Sequence, residues 1–288
     1  MPELSALPWS ALAAARRAGT PRVPFFVRGV SVGAVAAAHL PALRRFGEAV
    51  SIDGRGVHAR AEDPSEDLAP VNRALREAGL VRAWRDELFA LPHPGTLEPL
   101  ARIERAASRF WGTLTLGAHA TGFVRGTDGR PSHLWIAQRS LTKATDPGLF
   151  DNLIGGGVGF GQMPRETLVR EAFEEAGLAA AEVTGAMPGH VIGLARDIAE
   201  GYQQEWLYGF DVELPASRTP ANQDGEVAAF RCLTADEAAA LAAGETMTVD
   251  ASLVTLDFLL RHGCLPAPRA ETARLRRALA MLLVASPI

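Results

Sequence analysis

Residues 156–178 read GGVGFGQMPRETLVREAFEEAGL, and the rest of the chain is best read outward from them. A glycine-rich segment leads into a run of helix-forming residues, and Gly177 stands where that run would stop. Glu171, Glu174 and Glu175 are spaced i, i+3 and i+4, so a helix places all three carboxylates on one face. Like charges that close weaken an isolated helix unless a cation compensates them. Mg²⁺ and Mn²⁺ prefer carboxylate oxygens, and Mg²⁺ often shares its shell with substrate phosphates. For REAFEE alone, a solvated acidic surface face explains the pattern equally well. The glycine-rich turn upstream and the terminating glycine downstream favour a metal site.

The stretch resembles the signature of the Nudix hydrolase family: Gly, five residues, Glu, seven residues, then Arg-Glu-apolar-any-Glu-Glu-any-Gly-apolar. Gly156 opens the pattern, and Arg170, Glu171, Ala172, Glu174, Glu175, Gly177 and Leu178 fill its later positions. Gln162 stands where the family has its isolated Glu. The resemblance implies an α+β fold, a Nudix α/β/α sandwich with a mixed sheet. It implies Mg²⁺ or Mn²⁺ as cofactor and hydrolysis of a nucleoside diphosphate linked to another moiety X. Glu171, Glu174 and Glu175 would be metal ligands, with Arg170 bracing the carboxylates. Gln162 cannot carry the charge of the family's Glu but can still hydrogen-bond. A general base must activate the water. Glu226, in NQDGEV, is the first candidate and Glu174 the second; a turn carboxylate is the ordinary reading of Glu226.

Four further strings resemble one subfamily. They are PFFVRGVSVGAV, RSLTKATDPGLFDNLIGGGVGFG, NQDGEVAAFRCL and ASLVTLDFLLRHG. They look like the Nudix domain that fungi fuse ahead of thiamin pyrophosphokinase and that plants and bacteria carry alone. That resemblance implies removal of phosphate from thiamin diphosphate, preferentially from its oxo and oxy forms. ADP-ribose, a dinucleotide or a nucleotide sugar remains an alternative, because the signature builds the metal site and not the X pocket. An alternative of another class is a ligand-binding regulator on a Nudix scaffold. The intact REAFEE and the lack of a helix-turn-helix signal speak against it.

Within these strings Arg139 and Lys143 are types that meet phosphate, Arg as a planar fork and Lys as a point charge. A solvated loop pair is the competing expectation. Asn152 would tie down loop backbone or touch substrate. Gly156 and Gly157 allow backbone to approach closely. Trp206 and Tyr208 share one strand face, where a heteroaromatic ring could stack, although core packing explains them as well. His119 and His190 have no partners at ligand spacing and read as structural or surface residues.

At 288 residues the chain exceeds one Nudix domain of about 150, so two domains are expected. We place a small α+β domain at 1–105 and the Nudix domain at 106–288. The N-terminal domain shows no cluster of catalytic residue types; it would shape the X pocket or pair two copies of the chain. The net charge of −4 gives no basic footprint for nucleic acid. No run of apolar residues is long enough for a membrane span. Cys232 and Cys264 stand far apart, as in a reducing compartment, and no secretory pattern opens the chain, so a cytoplasmic enzyme is expected. The chain is rich in Ala and Arg, and Lys143 is its one lysine, a composition that suggests a GC-rich bacterial genome.

The pattern predicts helices over 1–20, 67–78, 86–91 and 165–176. It predicts strand-turn-strand over 24–36, a strand pair over 51–60, and strands over 114–124, 133–140, 181–194 and 204–213. Further helices are expected over 233–244, with Thr234 as N-cap, and over 250–262 and 269–285.

Overall fold

A computed structural model describes residues 8–59 and 62–285. In chain order the first half contains α1 (Ser10–Ala14), β1 (Arg22–Val27), β2 (Val30–Ala36), α2 (Leu40–Leu43), β3 (Val50–Asp53), β4 (Gly56–Ala59), α3 (Pro64–Glu77), β5 (Leu88–Pro92), β6 (Pro99–Glu104) and α4 (Ala107–Trp111). The second half contains β7 (Leu114–Arg125), β8 (Pro131–Arg139), β9 (Phe150–Asp151), β10 (Ile154–Gly157), α5 (Pro164–Ala176), α6 (Ala180–Val183), β11 (Met187–Ile198), β12 (Gly201–Glu213), β13 (Val227–Thr234), α7 (Ala235–Ala243), α8 (Val249–Arg261) and α9 (Arg269–Ala280).

The first half packs a four-stranded sheet, ordered β2-β1-β4-β3, with α3 and the β5-β6 hairpin. Asp63 caps α3 by accepting from the Ser65 amide, and Pro64 fits the first helical position because its missing N–H would have no partner there. Leu68, Val71 and Leu75 then fall on one face and enter a core with Phe25, Leu43 and Trp111. Trp111 stacks on Phe25 and donates its indole N–H to Asn72 Oδ1 at 2.7 Å.

The second half is built on a seven-stranded mixed sheet. Its central strand, β7, is buried along almost its whole length, parallel to β12 on one edge. The other edge is shared: Gly117–Ala120 pair antiparallel with β10, and Gly122–Arg125 with β8. One face of the sheet packs against Leu168, Ala172 and Ala176 of α5, the other against α7 and α8. This is the α/β/α sandwich that the signature implies.

Three elements differ from the sequence expectation. Residues 86–91 form a strand rather than a helix, because Phe89 and Leu91 alternate inward opposite Ile103 and Ala101 of β6. The strand expected from 181 begins at Met187, after the short helix of Ala180–Val183. Of residues 1–20, Ser10–Ala14 are helical, while residues 1–7 lie outside the described residues, as does Arg60 of the strand pair. α1 sits on the second half: Trp9, Ala11 and Ala15 are buried in the core of α7 and α8.

Candidate active site

β10 delivers the glycines of the signature. Gly156 stands opposite Ala118 in the ladder, and a Cβ there would lie 2.0 Å from Glu171 Oε1. Only a glycine lets that carboxylate rest against the loop. A Cβ on Gly157 would meet the Phe89 ring at 2.3 Å, so the β5-β6 hairpin abuts the same loop from the other half of the chain. α5 begins at Pro164, its start reinforced by Glu166 accepting from the Met163 amide at 2.9 Å. It ends at Gly177, whose φ of 63° is left-handed.

Along α5 the carboxylates are not free. Arg170 donates to Glu171 Oε1 at 2.8 Å and to Glu174 Oε2 at 2.7 Å. Glu175 Oε2 accepts from the Gly155 amide at 2.8 Å, and Lys143 Nζ lies 3.3 Å from its Oε1. Lys143, almost fully buried, also pairs with Glu226, and Arg85 donates to Glu226 Oε1 at 3.1 Å. A chain of paired basic and acidic side chains thus runs Arg85–Glu226–Lys143–Glu175. Burial raises Glu171, with Arg170 opposing the rise. Burial pushes Glu175 up to about 8 in spite of Lys143. Burial also works against ionised Glu226, but Lys143 and Arg85 outweigh it and hold that carboxyl below the usual range.

Glu171, Glu174 and Glu175 are the donors available to a divalent ion. Among the described residues no set of three is gathered into a ready-made cage, because Arg170 and Lys143 hold the carboxylates. The donor chemistry nevertheless fits Mg²⁺ or Mn²⁺: every donor is a carboxylate oxygen, and burial disfavours the ionised forms of Glu171 and Glu175, which a bound cation would favour.

The other expected residues have clear positions. Arg139 donates to Asp151 at 2.7 Å and to the Thr145 carbonyl at 2.9 Å, tying down the 140–150 loop. Asn152 bonds Thr255 Oγ1 at 3.2 Å and lies 3.2 Å from His119 Nδ1, a structural tie between β9, β7 and α8. Trp206 packs against the core on the α5 face of the sheet and is not among the residues lining the cavity described below. Gln162 accepts from Thr167 Oγ1 at 3.0 Å, at the start of the helix. His190 pairs with Asp257 at 2.6 Å, away from the site.

A cavity of about 540 Å³ opens beside the loop. Gly155, Gly156 and Gly157 form part of its wall, with Arg139 and the 144–147 segment. Arg82, Arg85, Arg105 and Arg109 line it from the first half of the chain, and Gln203, Glu205 and Asp250 from the far side. Sequence reading missed all seven, and it missed that His119 reaches this wall. They come from elements distant in the chain, and no local spacing links them.

The Nudix domain profile matches residues 115–251, and a domain of unknown function (DUF4743) matches residues 11–115. Nudix hydrolase 24, chloroplastic, of Arabidopsis thaliana is 31% identical over 249 residues, covering 84% of this chain and 68% of its own length. Nudix hydrolase 20, chloroplastic, of the same plant is 33% identical over 205 residues, covering 71% of this chain and 54% of its own length. A crystal structure from Deinococcus radiodurans aligns over 60% of this chain and 99% of its own, with 24% identity and a TM-score of 0.44. The chain belongs to the Nudix hydrolase family. It is a hydrolase of the pyrophosphatase type.

Proposed function

We propose that this hydrolase acts on thiamin diphosphate or its oxidised oxo and oxy forms, releasing phosphate and the monophosphate. One observation carries the reading: the strings that resemble the thiamin-associated subfamily converge on the site. RSLTKATDPGLFDNLIGGGVGFG supplies Arg139, Lys143, the 144–147 wall and the glycines; NQDGEV supplies Glu226. The cavity volume suits a small-molecule diphosphate.

In this reading Glu171, Glu174 and Glu175 hold Mg²⁺ or Mn²⁺. When bound, the ion neutralises phosphate oxygens and lowers the pKa of water. Arg170 keeps the carboxylates in place. Glu226, kept ionised by Lys143 and Arg85, takes the proton of the attacking water. The water oxygen bonds to phosphorus, the P–O–P bridge breaks, and the bridging oxygen leaves on the other phosphate. Lys143 and Arg139 face the diphosphate, and Gly156 and Gly157 let it approach the backbone. The far wall meets the ring system through Gln203, Glu205 and Asp250 rather than by stacking on Trp206. We further take residues 1–105 as a domain that completes the cavity.

Among the described residues no helix is long and apolar enough to cross a membrane. Cys232 and Cys264 are free thiols, which suits a reducing compartment such as the cytoplasm, although the plant relatives are designated chloroplastic.

The test is a metal-dependent turnover panel with thiamin diphosphate, its oxo and oxy forms, and ADP-ribose, with products identified. The thiamin compounds should be the better substrates, and Glu226→Gln should lower kcat by about 10²-fold or more. Turnover confined to ADP-ribose would assign a different X group.

A further inference from the structure

The domain of unknown function places an unusual loop against the catalytic glycines. Residues 82–87 connect α3 to the hairpin, and two of them, Ala83 at φ 56° and Asp86 at φ 58°, hold left-handed conformations without being glycine. Each such residue is strained and persists only where its surroundings enforce it. Here they do. Buried Glu104 accepts from the Arg85 amide at 3.0 Å and from the Ala106 amide at 3.3 Å. Trp84 donates to Asp86 at 2.6 Å, and Arg76 lies over the Trp84 ring. Two residues, Trp84 and Arg85, lie between the left-handed positions, and the Glu104 carboxylate on the Arg85 amide fixes the backbone of the second.

That side chain crosses to the other half of the chain and meets Glu226, the carboxylate that Lys143 joins to Glu175. Arg105, following the buried Glu104, lines the same cavity; it pairs with Glu87 at 2.9 Å, and its charge acts on Glu171. Both guanidinium groups are partly open to the cavity. A guanidinium has five N–H donors, and each of these uses one on a carboxylate. The remaining donors suit a planar fork on phosphate oxygens.

We infer that Arg85 and Arg105 bind the diphosphate from the side opposite Arg139, and that the N-terminal domain is the substrate-recognition half of the active site. The ligand class is a diphosphate, bound between these arginines and the Gly155–Gly157 wall. The inference rests on the diphosphohydrolase reading, and the strained loop is the device that presents the first arginine at a fixed angle.

The experiment uses the full chain with Arg85→Ala, Arg105→Ala and the two lysine replacements. Binding of methylenediphosphonate, a diphosphate that cannot be hydrolysed at its bridge, is measured by calorimetry with Mg²⁺, and Mn²⁺ binding is measured without it. Each alanine variant should bind the diphosphonate at least tenfold more weakly, while it still binds Mn²⁺ and keeps a Tm close to wild type. The lysine variants should recover part of the loss, and they carry the test if an alanine variant does not fold. Unchanged diphosphonate affinity in the arginine variants, or none in wild type, overturns the inference. Absence of turnover of every diphosphate in the panel overturns the catalytic reading instead.

Discussion

Glu175 shows how much chemistry one buried carboxylate can hold. Its ordinary pKa would lie near 4, and burial lifts it to about 8. Between those values the folded protein keeps a proton that the unfolded chain has released. The folded state therefore binds more protons, and stability falls as pH rises through that window. Metal-free protein should accordingly show a lower Tm at about pH 8 than at about pH 5.5 as far as this group decides it, and Glu175→Gln should flatten the trend. A divalent ion at the site displaces that proton, so metal affinity should rise with pH across the same range, measurable by calorimetry in two buffers of different ionisation enthalpy. Gln162 makes the opposite case. Its Oε1 only accepts from Thr167, a bond that a glutamate retains, so Gln162→Glu should leave kcat undiminished and Tm within a few degrees. At this scale the sequence put forward the three carboxylates and Glu226 as candidates, from spacing and resemblance. It could not show that Lys143 bridges Glu175 and Glu226, because that pairing joins residues far apart in the chain.

Among the elements, the β10 ladder and α5 form a single fitted unit. Gly156→Ala would drive a methyl group into Glu171 and displace either the carboxylate or the strand. We expect Gly156→Ala to cut turnover by about 10²-fold while the protein still folds, because a misplaced catalytic group is costly even when stability survives. Circular dichroism alongside turnover checks this, and near wild-type rate would show that Glu171 is not needed at the loop. Long periodic segments such as α5, α7 and β7 were legible because their apolar spacing is set by local geometry. In the β5-β6 hairpin, β5 was misread as helical: Asp86–Leu91 has no strong strand composition, and its alternation only means something once β6 lies beside it. The same gap hid Arg85 and Arg105, which lie on either side of that hairpin.

Across the whole molecule, the two halves are locked together from several directions. Trp9 inserts into the core of α7 and α8 with no exposed surface. Trp9→Ala should cost about 3–5 kcal/mol in urea unfolding, far more than a surface substitution, because it empties a large buried socket. For the same reason a fragment of residues 106–288 should lose solubility as well as one wall of its cavity. Two domains were expected from length, and the two profiles that meet at residue 115 agree with that coarse division, but the return of α1 to the second half was not foreseen. That return has a consequence for the edge of the large sheet. β11 is its outermost strand on one side, and its outward amides would otherwise offer a template to any passing strand. Residues 15 and 17 take the amides of Ala195 and Asp197, while Leu282 takes that of Gly193 and the Val284 amide binds the Val191 carbonyl. Both ends of the described chain thus act as selvedges on one open border. A chain stopping at residue 280 should leave the half around Val191 and Gly193 bare and seed strand-to-strand aggregation, visible as a rising light-scattering signal long before any loss of helix.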